Sequence, residues 1–405
     1  MNKILVLLCW CCALGAFAQN DSVSLGAGAT DMVFYNTATG AKTSASNIDW
    51  HIAFTVRPAL PPNNTNQAAA IRINEANGVK LFHSNQKLDV WASFDTTGWM
   101  GWQAMHNPDT TWTIGAFNVN KDFSNYYNYG WGSYNFAQHS VFGDSSIYLL
   151  QLPDGTFRKF AILNLDYDTA FNVQFDKLDN SDFTAAEIQK KPYRTKSFVY
   201  YNLDTKNVID KEPAISAWDM VFTRYNNTGS IADPTKDMGI LTNDANSAYA
   251  ASGTEALETC YAGQYSNYIN VIDETWRDQT TDTIIPGLAY FVSGSISGNY
   301  RLTMTQFGTS YTGLMGFNIV KCMATGINDV SANGTILSVY PVPVSDVLHV
   351  SMTSEAQSAG NISLLDMSGR MITSQSINIL SGDNNFTINT AMLQSGNYVL
   401  SVSSE

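Results

Sequence analysis

The histidines are the side chains of this chain best suited to ligating a metal. Neutral imidazole is a common ligand for transition metals, and its ring can stack beside a flat apolar group. His106 and His139 lie in segments rich in Trp and Tyr, and His83 is a third candidate. His51 lies in a predicted strand, where a structural role is expected. For each histidine the competing interpretation is an ordinary hydrogen-bonded loop residue.

The segment 123–136, FSNYYNYGWGSYNF, is unusually aromatic. Aromatic loops outside the cell stack on sugar rings or anchor protein interfaces, and they also pack over sheets as plain core. All three interpretations remain open from the sequence. A second polar feature is acidic: Asp166 and Asp168 precede Asp176, Asp179 and Asp182. A solvated acidic linker is favoured there over a loose calcium site, because the regular spacing of a calcium loop is missing.

Enzyme motifs are missing from the sequence. The mature chain contains no G-x-S-x-G, H-E-x-x-H, C-x-x-C, phosphate-binding loop or dinucleotide turn. The two carboxylates of a glycoside hydrolase can lie far apart in sequence, so a motif search does not detect them. A hydrolase therefore stays as a third hypothesis, ranked after ligand capture and surface adhesion. We therefore expect a protein that is not an enzyme.

Composition points to extracellular β structure. The chain has 405 residues, 44% of them hydrophobic, only 14% charged, and a formal net charge of −13. That length suits two or three domains, and an acidic surface repels phosphate backbones, so nucleic acid is not an expected partner. Aromatic, β-branched and small polar residues bounded by turn signals predict an all-β fold.

The N-terminus has the form of a secretory signal peptide. Lys3 precedes an apolar core, and Ala16-Phe17-Ala18 predicts cleavage between Ala18 and Gln19. After cleavage only Cys260 and Cys322 remain, and in an oxidising compartment we expect them to pair. Their bond would close a loop of about 60 residues and add roughly 4 kcal/mol. The alternative is two separate buried thiols. No other stretch predicts a membrane helix, so the protein is not expected to be transmembrane.

An internal duplication organises most of the chain. The same three parts occur at 31–55 and again at 197–223: a predicted strand that ends in Tyr-Asn, a polar segment, and a predicted strand that begins with Trp. An N-x-A-N motif and an aromatic hairpin follow each copy in the same order. The expected organisation is a signal peptide at 1–18, β modules at 19–185 and 192–325, and a small β-sandwich at 335–405. The boundary segment, including 185–190, is predicted to be a linker with a helical turn.

The last unit resembles the C-terminal sorting domain of the type IX secretion system of Bacteroidota. Three motifs carry the resemblance in order: Tyr340-Pro341-Val342-Pro343, Asp366 to Arg370 (DMSGR), and Gly396 to Leu400 (GNYVL). The resemblance implies export through the periplasm and outer membrane by the type IX secretion machinery. It also implies removal of this unit, with release or attachment at the outer-membrane surface.

The two modules resemble the HmuY family of secreted haem-binding proteins in tandem copies. YYNLDTKNV with AWDMVFTRYN, and FYNTATGAK with DWHIAFT, carry the resemblance. It implies an all-β fold, haem as cofactor with axial His or Met, and an outer-membrane receptor as partner. Applied to this chain, it makes His106, His139 and His83 the expected haem ligands. The alternative is a surface adhesion or carbohydrate-binding protein without haem.

Overall fold

The computed structural model describes residues 19–57, 69–227, 235–257, 265–294, 298–309, 311–322, 337–342, 344–354, 356–366, 369–394 and 396–404. These residues fall into two compact units, Met1–Cys322 and Met323–Glu405. The predicted signal peptide and Cys260 lie outside the described residues, so the pairing of Cys260 with Cys322 stays a prediction. The fold is all-β, as the composition predicts.

Twenty-three strands build the described part of the first unit. They are β1 (Gln19–Ser24), β2 (Asp31–Tyr35), β3 (Lys42–Ser46), β4 (Ile52–Thr55), β5 (Ile71–Ile73), β6 (Lys80–Lys87), β7 (Gln103–Met105), β8 (Gly132–Asn135), β9 (Ser140–Gly143), β10 (Ser146–Gln151), β11 (Phe157–Asp166), β12 (Ala170–Lys177), β13 (Thr184–Gln189), β14 (Phe198–Asn202), β15 (Asn207–Ile209), β16 (Met220–Asn227), β17 (Thr235–Thr242), β18 (Asn246–Ser252), β19 (Arg277–Asp278), β20 (Thr283–Ile284), β21 (Leu288–Gly294), β22 (Gly298–Phe307) and β23 (Leu314–Lys321). Short 3₁₀ turns lie at Leu88–Ser93, Trp99–Gly101, Ala116–Asn118, Lys191–Tyr193, Ile215–Ala217 and Glu255–Leu257.

The two sequence copies exchange strands. One four-stranded sheet has the order β17-β16-β2-β3, and another has the order β15-β14-β4-β5. Val221 of the second copy therefore pairs with Phe34 of the first, and Val199 pairs with Phe54. Strand β1 likewise pairs with β23 at the far end of the unit. The boundaries 19–185 and 192–325 separate the copies in sequence, but the hydrogen-bonded sheets cross them.

The two N-x-A-N motifs are corners at which the chain changes sheet. The sequence predicts a hairpin around Asn77-Gly78, and that prediction is wrong: β5 pairs with β4, whereas β6 pairs with β10 and β7. The reason lies in Asn74, whose buried amide donates to the carbonyls of Asn47 and Trp50 at 2.8 and 3.0 Å. These bonds hold the turn against the segment between β3 and β4, so the chain enters β6 in a new direction.

Two predicted hairpins are confirmed. Strands β10 and β11 pair around Pro153-Asp154-Gly155, with Gly155 at φ 85°, and β21 pairs with β22. The predicted helical turn at 185–190 is wrong, because β13 continues the sheet antiparallel to β12. Ile188 pairs there with Phe171, and both side chains are buried. The apolar core available on one face outweighs the helical preference of Ala, Glu and Gln in this segment.

The second unit is a pair of three-stranded sheets around one apolar core. Its strands are β24 (Leu337–Tyr340), β25 (Val347–Ser354), β26 (Ser358–Asp366), β27 (Met371–Ile379), β28 (Gly382–Asn389) and β29 (Tyr398–Ser404). The sheet orders are β24-β25-β28 and β27-β26-β29. Asp366 explains the DMSGR motif: its side chain accepts from the backbone N–H of Arg370 at 3.0 Å and from that residue's Nε at 3.0 Å. Gly369 adopts φ 83° to close the turn.

Candidate ligand-binding cavity

A cavity of about 100 Å³ lies between the two exchanged sheets. Aromatic side chains form much of its wall: Phe34, Trp50, Trp112, Phe198, Tyr200 and Trp218. Most of them also belong to the apolar cluster that joins the two sheets. Because the lining comes from strands of both copies, the cavity exists only when the strands are exchanged.

The duplication explains how these rings are placed. Trp50 and Trp218 each lead a strand of the repeat, and each ring meets an aromatic residue from the paired strand of the other copy. The centroids of Phe34 and Trp218 are 5.1 Å apart, and those of Trp50 and Tyr200 are 4.9 Å apart, both edge-on. Edge-to-face pairs of this kind fix ring orientation as well as burying area. The cavity walls are therefore held by two equivalent aromatic pairs.

Arg72 brings a cation to the cavity wall. Its guanidinium donates to the backbone carbonyls of Pro108, Thr111 and Ile114 at 2.8–3.0 Å and lies 5.0 Å from the centre of the Trp112 ring. Burial lowers the pKa of Arg72 to about 10. The side chain therefore stays charged at neutral pH. Its hydrogen bonds hold the loop from 108 to 114 over the cavity.

Two buried carboxylates also line the cavity, and protein donors surround both. Glu75 accepts from the ring of His106 at 2.7 Å, from Asn107 through its backbone and side chain, and from Asn226 at 2.9 Å. Glu212 accepts from the backbone N–H groups of Ser197 and Phe198 at 2.9 and 3.0 Å. Burial raises the pKa of Glu212 to about 7, although these backbone hydrogen bonds oppose the change.

The pKa of Glu212 predicts a specific pH dependence of stability. Its folded pKa is about 7 and its ordinary value is 4.5, so between those values the folded state holds a proton that the unfolded state loses. Its contribution to the free energy of unfolding should fall by roughly 3 kcal/mol from pH 4.5 to pH 7, then level off. Glu212→Gln should remove that slope. Urea unfolding of both proteins from pH 4.5 to 8 measures the difference, and parallel curves would contradict the prediction.

Three residues of the cavity lining each have a buried polar atom without a partner among the described residues. The atoms are Nε1 of Trp218, Nε of Arg224 and the hydroxyl oxygen of Tyr225. Leaving a buried polar group unpaired costs about 1–3 kcal/mol, so such groups are usually matched by protein, water or a ligand. The three residues lie at separate positions along one extended stretch of chain, so these atoms do not converge on a single point.

Trp50, the counterpart of Trp218 in the first copy, does have a hydrogen-bond acceptor for its indole N–H. Nε1 of Trp50 donates to Oδ1 of Asn47 at 3.0 Å, three residues earlier in the chain. The residue three before Trp218 is Ile215, which has no polar side chain. The second copy thus keeps the indole and lacks its internal acceptor.

The structure does not gather the predicted histidine ligands. The Nδ1 atom of His106 is bonded to Oε1 of Glu75 at 2.7 Å. His139 is bonded to Tyr134 at 3.1 Å and contacts the Tyr167 ring, on the β8–β9 turn. His83 lies on β6, bonded to Asn85 at 2.9 Å. None of the three lines the cavity.

His51 has the structural role that the sequence predicts. Its Nδ1 accepts from the backbone N–H of Leu203 at 3.1 Å. Asp219, the matching residue of the second copy, accepts from the backbone N–H of Thr37 at 2.8 Å. Each side chain therefore stabilises the turn after the exchanged strand of the other copy.

The aromatic segment 123–136 serves two purposes. Tyr129 and Trp131 are buried in the core, whereas Phe123 and Phe136 are 72% and 60% exposed. The Tyr127 ring contacts the Phe136 ring at 4.6 Å, which forms a small aromatic surface.

The acidic residues of 166–182 do not converge on a metal. No group of three His, Cys, Asp or Glu side chains in the described part of the chain is arranged to hold an ion. Asp168 forms ion pairs with Lys190 and Arg194, and Asp182 pairs with Lys206.

Sequence reasoning missed most of the cavity. The repeated pattern puts Trp50 and Trp218 at the start of matching strands, and both are buried, but it does not connect them to Arg72 or Glu212. A difference between the two copies could have indicated the cavity. Arg72 lies two residues before Asn74, whereas the equivalent position in the second copy, two residues before Asn243, is Leu241. An isolated charge in one of two otherwise matching strands marks a divergent site.

The fold and site define an all-β protein with an inter-sheet cavity, followed by a separate β-sandwich unit. Residues 338–405 match the family described as the secretion system C-terminal sorting domain, which confirms that part of the predicted resemblance. This tail identifies a secreted or cell-surface protein that passes through the type IX secretion machinery. In the described residues no helix is long and apolar enough to cross a membrane.

Other comparisons say little about the remaining chain. No curated protein matches it. It is similar to a solved structure described as dimeric latent PorU from Porphyromonas gingivalis, with 9% identity and a TM-score of 0.15. That likeness covers 66% of this chain and 31% of the other, so the chain spans about a third of that protein's length.

Proposed function

We propose that the exported protein is not an enzyme and captures a small molecule at the cell surface in the cavity between its exchanged sheets. The observation that carries this proposal is a cavity whose aromatic walls come from both sequence copies, with the polar side chains of Arg72, Glu75 and Glu212 in its lining. Small-molecule sites are mostly apolar concavities with a few placed polar groups, which is the composition of this cavity.

Size limits the ligand. The cavity measures about 100 Å³, whereas an apolar cavity of about 150 Å³ holds benzene. Larger, drug-sized ligands use pockets of roughly 300–1,000 Å³. A ligand of about one ring, with part of it at the more exposed rim near Ala76, Arg224 and Tyr225, fits these dimensions.

A matched pair of alanines provides the test. Ala76 lines the cavity, and its counterpart in the second N-x-A-N motif, Ala245, is exposed elsewhere. We expect Ala76→Trp to fill the cavity mouth and weaken binding of small ring compounds by about 100-fold, whereas Ala245→Trp leaves binding unchanged. Calorimetric titration of the full chain with phenol, phenylacetate and phenylacetamide measures this. Equal affinities in both variants, or no binding to the unmodified protein, would contradict the proposal.

Haem capture through His106, His139 or His83 remains a prediction of the family resemblance. The three imidazoles have separate local partners, so a haem would have to bind outside the cavity. A haemin titration followed at the Soret band, included in the same series, distinguishes the two: binding lost in His106→Ala or His139→Ala but kept in Ala76→Trp supports haem.

One observation favours a second candidate, surface adhesion through sugar. The exposed rings of Tyr126, Tyr127 and Phe136 contact one another, and such rings stack on sugar faces. Glycan binding that survives Ala76→Trp and is lost in Phe136→Ser would favour adhesion over cavity capture.

A further inference from the structure

Lys159 of β11 is a buried lysine whose neighbours suit a covalent reaction. We propose that its amine forms an isopeptide bond with the side-chain amide carbon of Asn180, so that the folded protein crosslinks itself, with Asp176 of β12 as the proton carrier. The bond joins β11 to the turn after β12, within the eight-stranded sheet. This inference is independent of the cavity and of the function proposed for it.

The strand register brings the three groups together. Lys159 and Asp176 are direct partners in the antiparallel pair of β11 and β12, so their side chains lie on the same face of the sheet. Asn180 follows four residues later, in the turn before β13, with φ 63°. The Nζ atom of Lys159 donates to Oδ1 of Asn180. The amide carbon is one bond of about 1.2 Å beyond that oxygen, so the nucleophile and the electrophile are adjacent.

The lysine amine is shielded from water. Lys159 is fully buried, and its Nζ donates to the backbone carbonyl of Trp91 at 2.8 Å and lies 5.0 Å from the centre of the Trp91 ring. Burial lowers the pKa of Lys159, although Asp176 and Asp179 oppose the change. An amine attacks a carbonyl carbon only in its neutral form, and desolvation is one way in which proteins make a lysine nucleophilic.

Asp176 supplies the proton carrier that the reaction needs. Its side chain is 2% exposed, and its Oδ2 lies 4.0 Å from Nζ of Lys159. Its Oδ1 accepts from the backbone N–H of Asp182 at 2.9 Å, which holds the carboxylate in place. A shift of about 1 Å brings Oδ2 to hydrogen-bond distance from the amine. Burial disfavours both charges of the pair, so transfer of a proton from the ammonium to the carboxylate is assisted by the site.

The reaction needs no cofactor and no oxidant. Lys159 gives one proton to Asp176, and the neutral amine attacks Cγ of Asn180. The Nζ–Cγ bond forms and the Cγ–Nδ2 bond breaks, while two protons pass in succession through Asp176 from Nζ to Nδ2. The departing nitrogen leaves as ammonium, and Asp176 is again a carboxylate. One ammonium and one amide thus become one secondary amide and one free ammonium ion, so atoms and charge balance.

Lys190 provides a natural comparison. It is also fully buried, but its Nζ is bonded to the carboxylate of Asp168, which pairs with Arg194 as well. Two cations hold that carboxylate in its anionic form, and an anionic carboxylate is a poor target for an amine. Lys159 instead faces an amide, which has a leaving group. We therefore expect the crosslink at Lys159 and none at Lys190.

Mass spectrometry of the denatured full chain tests the inference. We expect the mature chain to weigh less than its sequence by one ammonia, about 17 Da. Trypsin does not cut after an acylated lysine, so peptides 159–177 and 178–190 should appear joined through Lys159 and Asn180. This branched peptide distinguishes the crosslink from cyclisation of an N-terminal glutamine or of an asparagine, which also releases ammonia. Separate peptides 160–177 and 178–190 in the digest would overturn the inference.

Four variants assign the roles. Lys159→Arg keeps the charge without the nucleophile, and Asn180→Gly keeps the positive φ without the electrophile, so neither should form the crosslink. Asp176→Asn should slow the reaction by about 100-fold and leave most molecules unlinked. Lys190→Arg, the matched control, should be crosslinked like the unmodified protein. Circular dichroism checks folding, and the unmodified chain alone decides whether the bond exists. Full crosslinking in Asp176→Asn would overturn the role of that carboxylate.

Discussion

A fragment of residues 19–190, cut between the two sequence copies, is expected not to fold cooperatively. It lacks β14, which pairs with β4, and β16, which pairs with β2. Strand β14 alone brings four buried residues to the sheet, Phe198, Val199, Tyr200 and Tyr201. At about 1.5–3 kcal/mol for each buried side chain, their loss is comparable with the whole 5–15 kcal/mol that stabilises a domain.

The matched control is a cut between the two compact units. A fragment of residues 19–322 retains every exchanged strand, so it should melt as one cooperative transition near that of the full chain. Mixing fragments 19–190 and 191–322 should restore native circular dichroism, because the missing strands return. If 19–190 alone shows its own cooperative melting and dispersed amide resonances, the strand exchange is contradicted.

The second large effect is expected at the two corner asparagines. Asn74 donates to the carbonyls of Asn47 and Trp50, and Asn243 donates to those of Ile215 and Trp218 at 2.8 and 2.9 Å. Both side chains are almost fully buried, at 1% exposure. Each side-chain oxygen also accepts from a backbone N–H of the following turn. Replacing either residue by Ala therefore removes three hydrogen bonds and leaves buried carbonyls unpaired, which should cost about 3 kcal/mol of unfolding free energy.

Urea unfolding of Asn74→Ala, Asn243→Ala and an exposed control measures this. Asn120→Ala is a suitable control, because Asn120 is exposed and, within the described part of the chain, its side chain is bonded only to that of Gln103. We expect similar losses at the two corners and a change within about 0.5 kcal/mol at the control. A large loss at one corner and none at the other would show that the motifs are not equivalent.

Local patterns predicted the elements whose partners are close in sequence. The hairpins at 146–166 and 288–307 follow from apolar alternation on both sides of turn residues, so a short stretch contains all the information needed. The sorting unit was recognised for the same reason, since its Asp366 motif closes within five residues. By contrast, the segment 184–189 has helical composition, and only the adjacent strand β12 makes it a strand.

The candidate site was predicted poorly because its parts are far apart in sequence. The histidines were chosen by residue type, but a ligand set depends on convergence, and the structure gives His83, His106 and His139 separate partners. Trp218 and Arg224 lie in the AWDMVFTRYN motif, but nothing in that motif links them to Arg72 or Trp112, which line the same cavity.

The sequence by itself determined the all-β character, the duplication and the C-terminal sorting unit, because alternation, repeated motifs and turn residues are properties of short segments. The tertiary structure decided which strands pair. Both copies carry similar Tyr-Asn strands, so pairing within a copy and pairing across copies satisfy the same local pattern. The chain forms the exchanged arrangement, with Phe34 against Trp218 and Tyr200 against Trp50, and that choice creates the cavity.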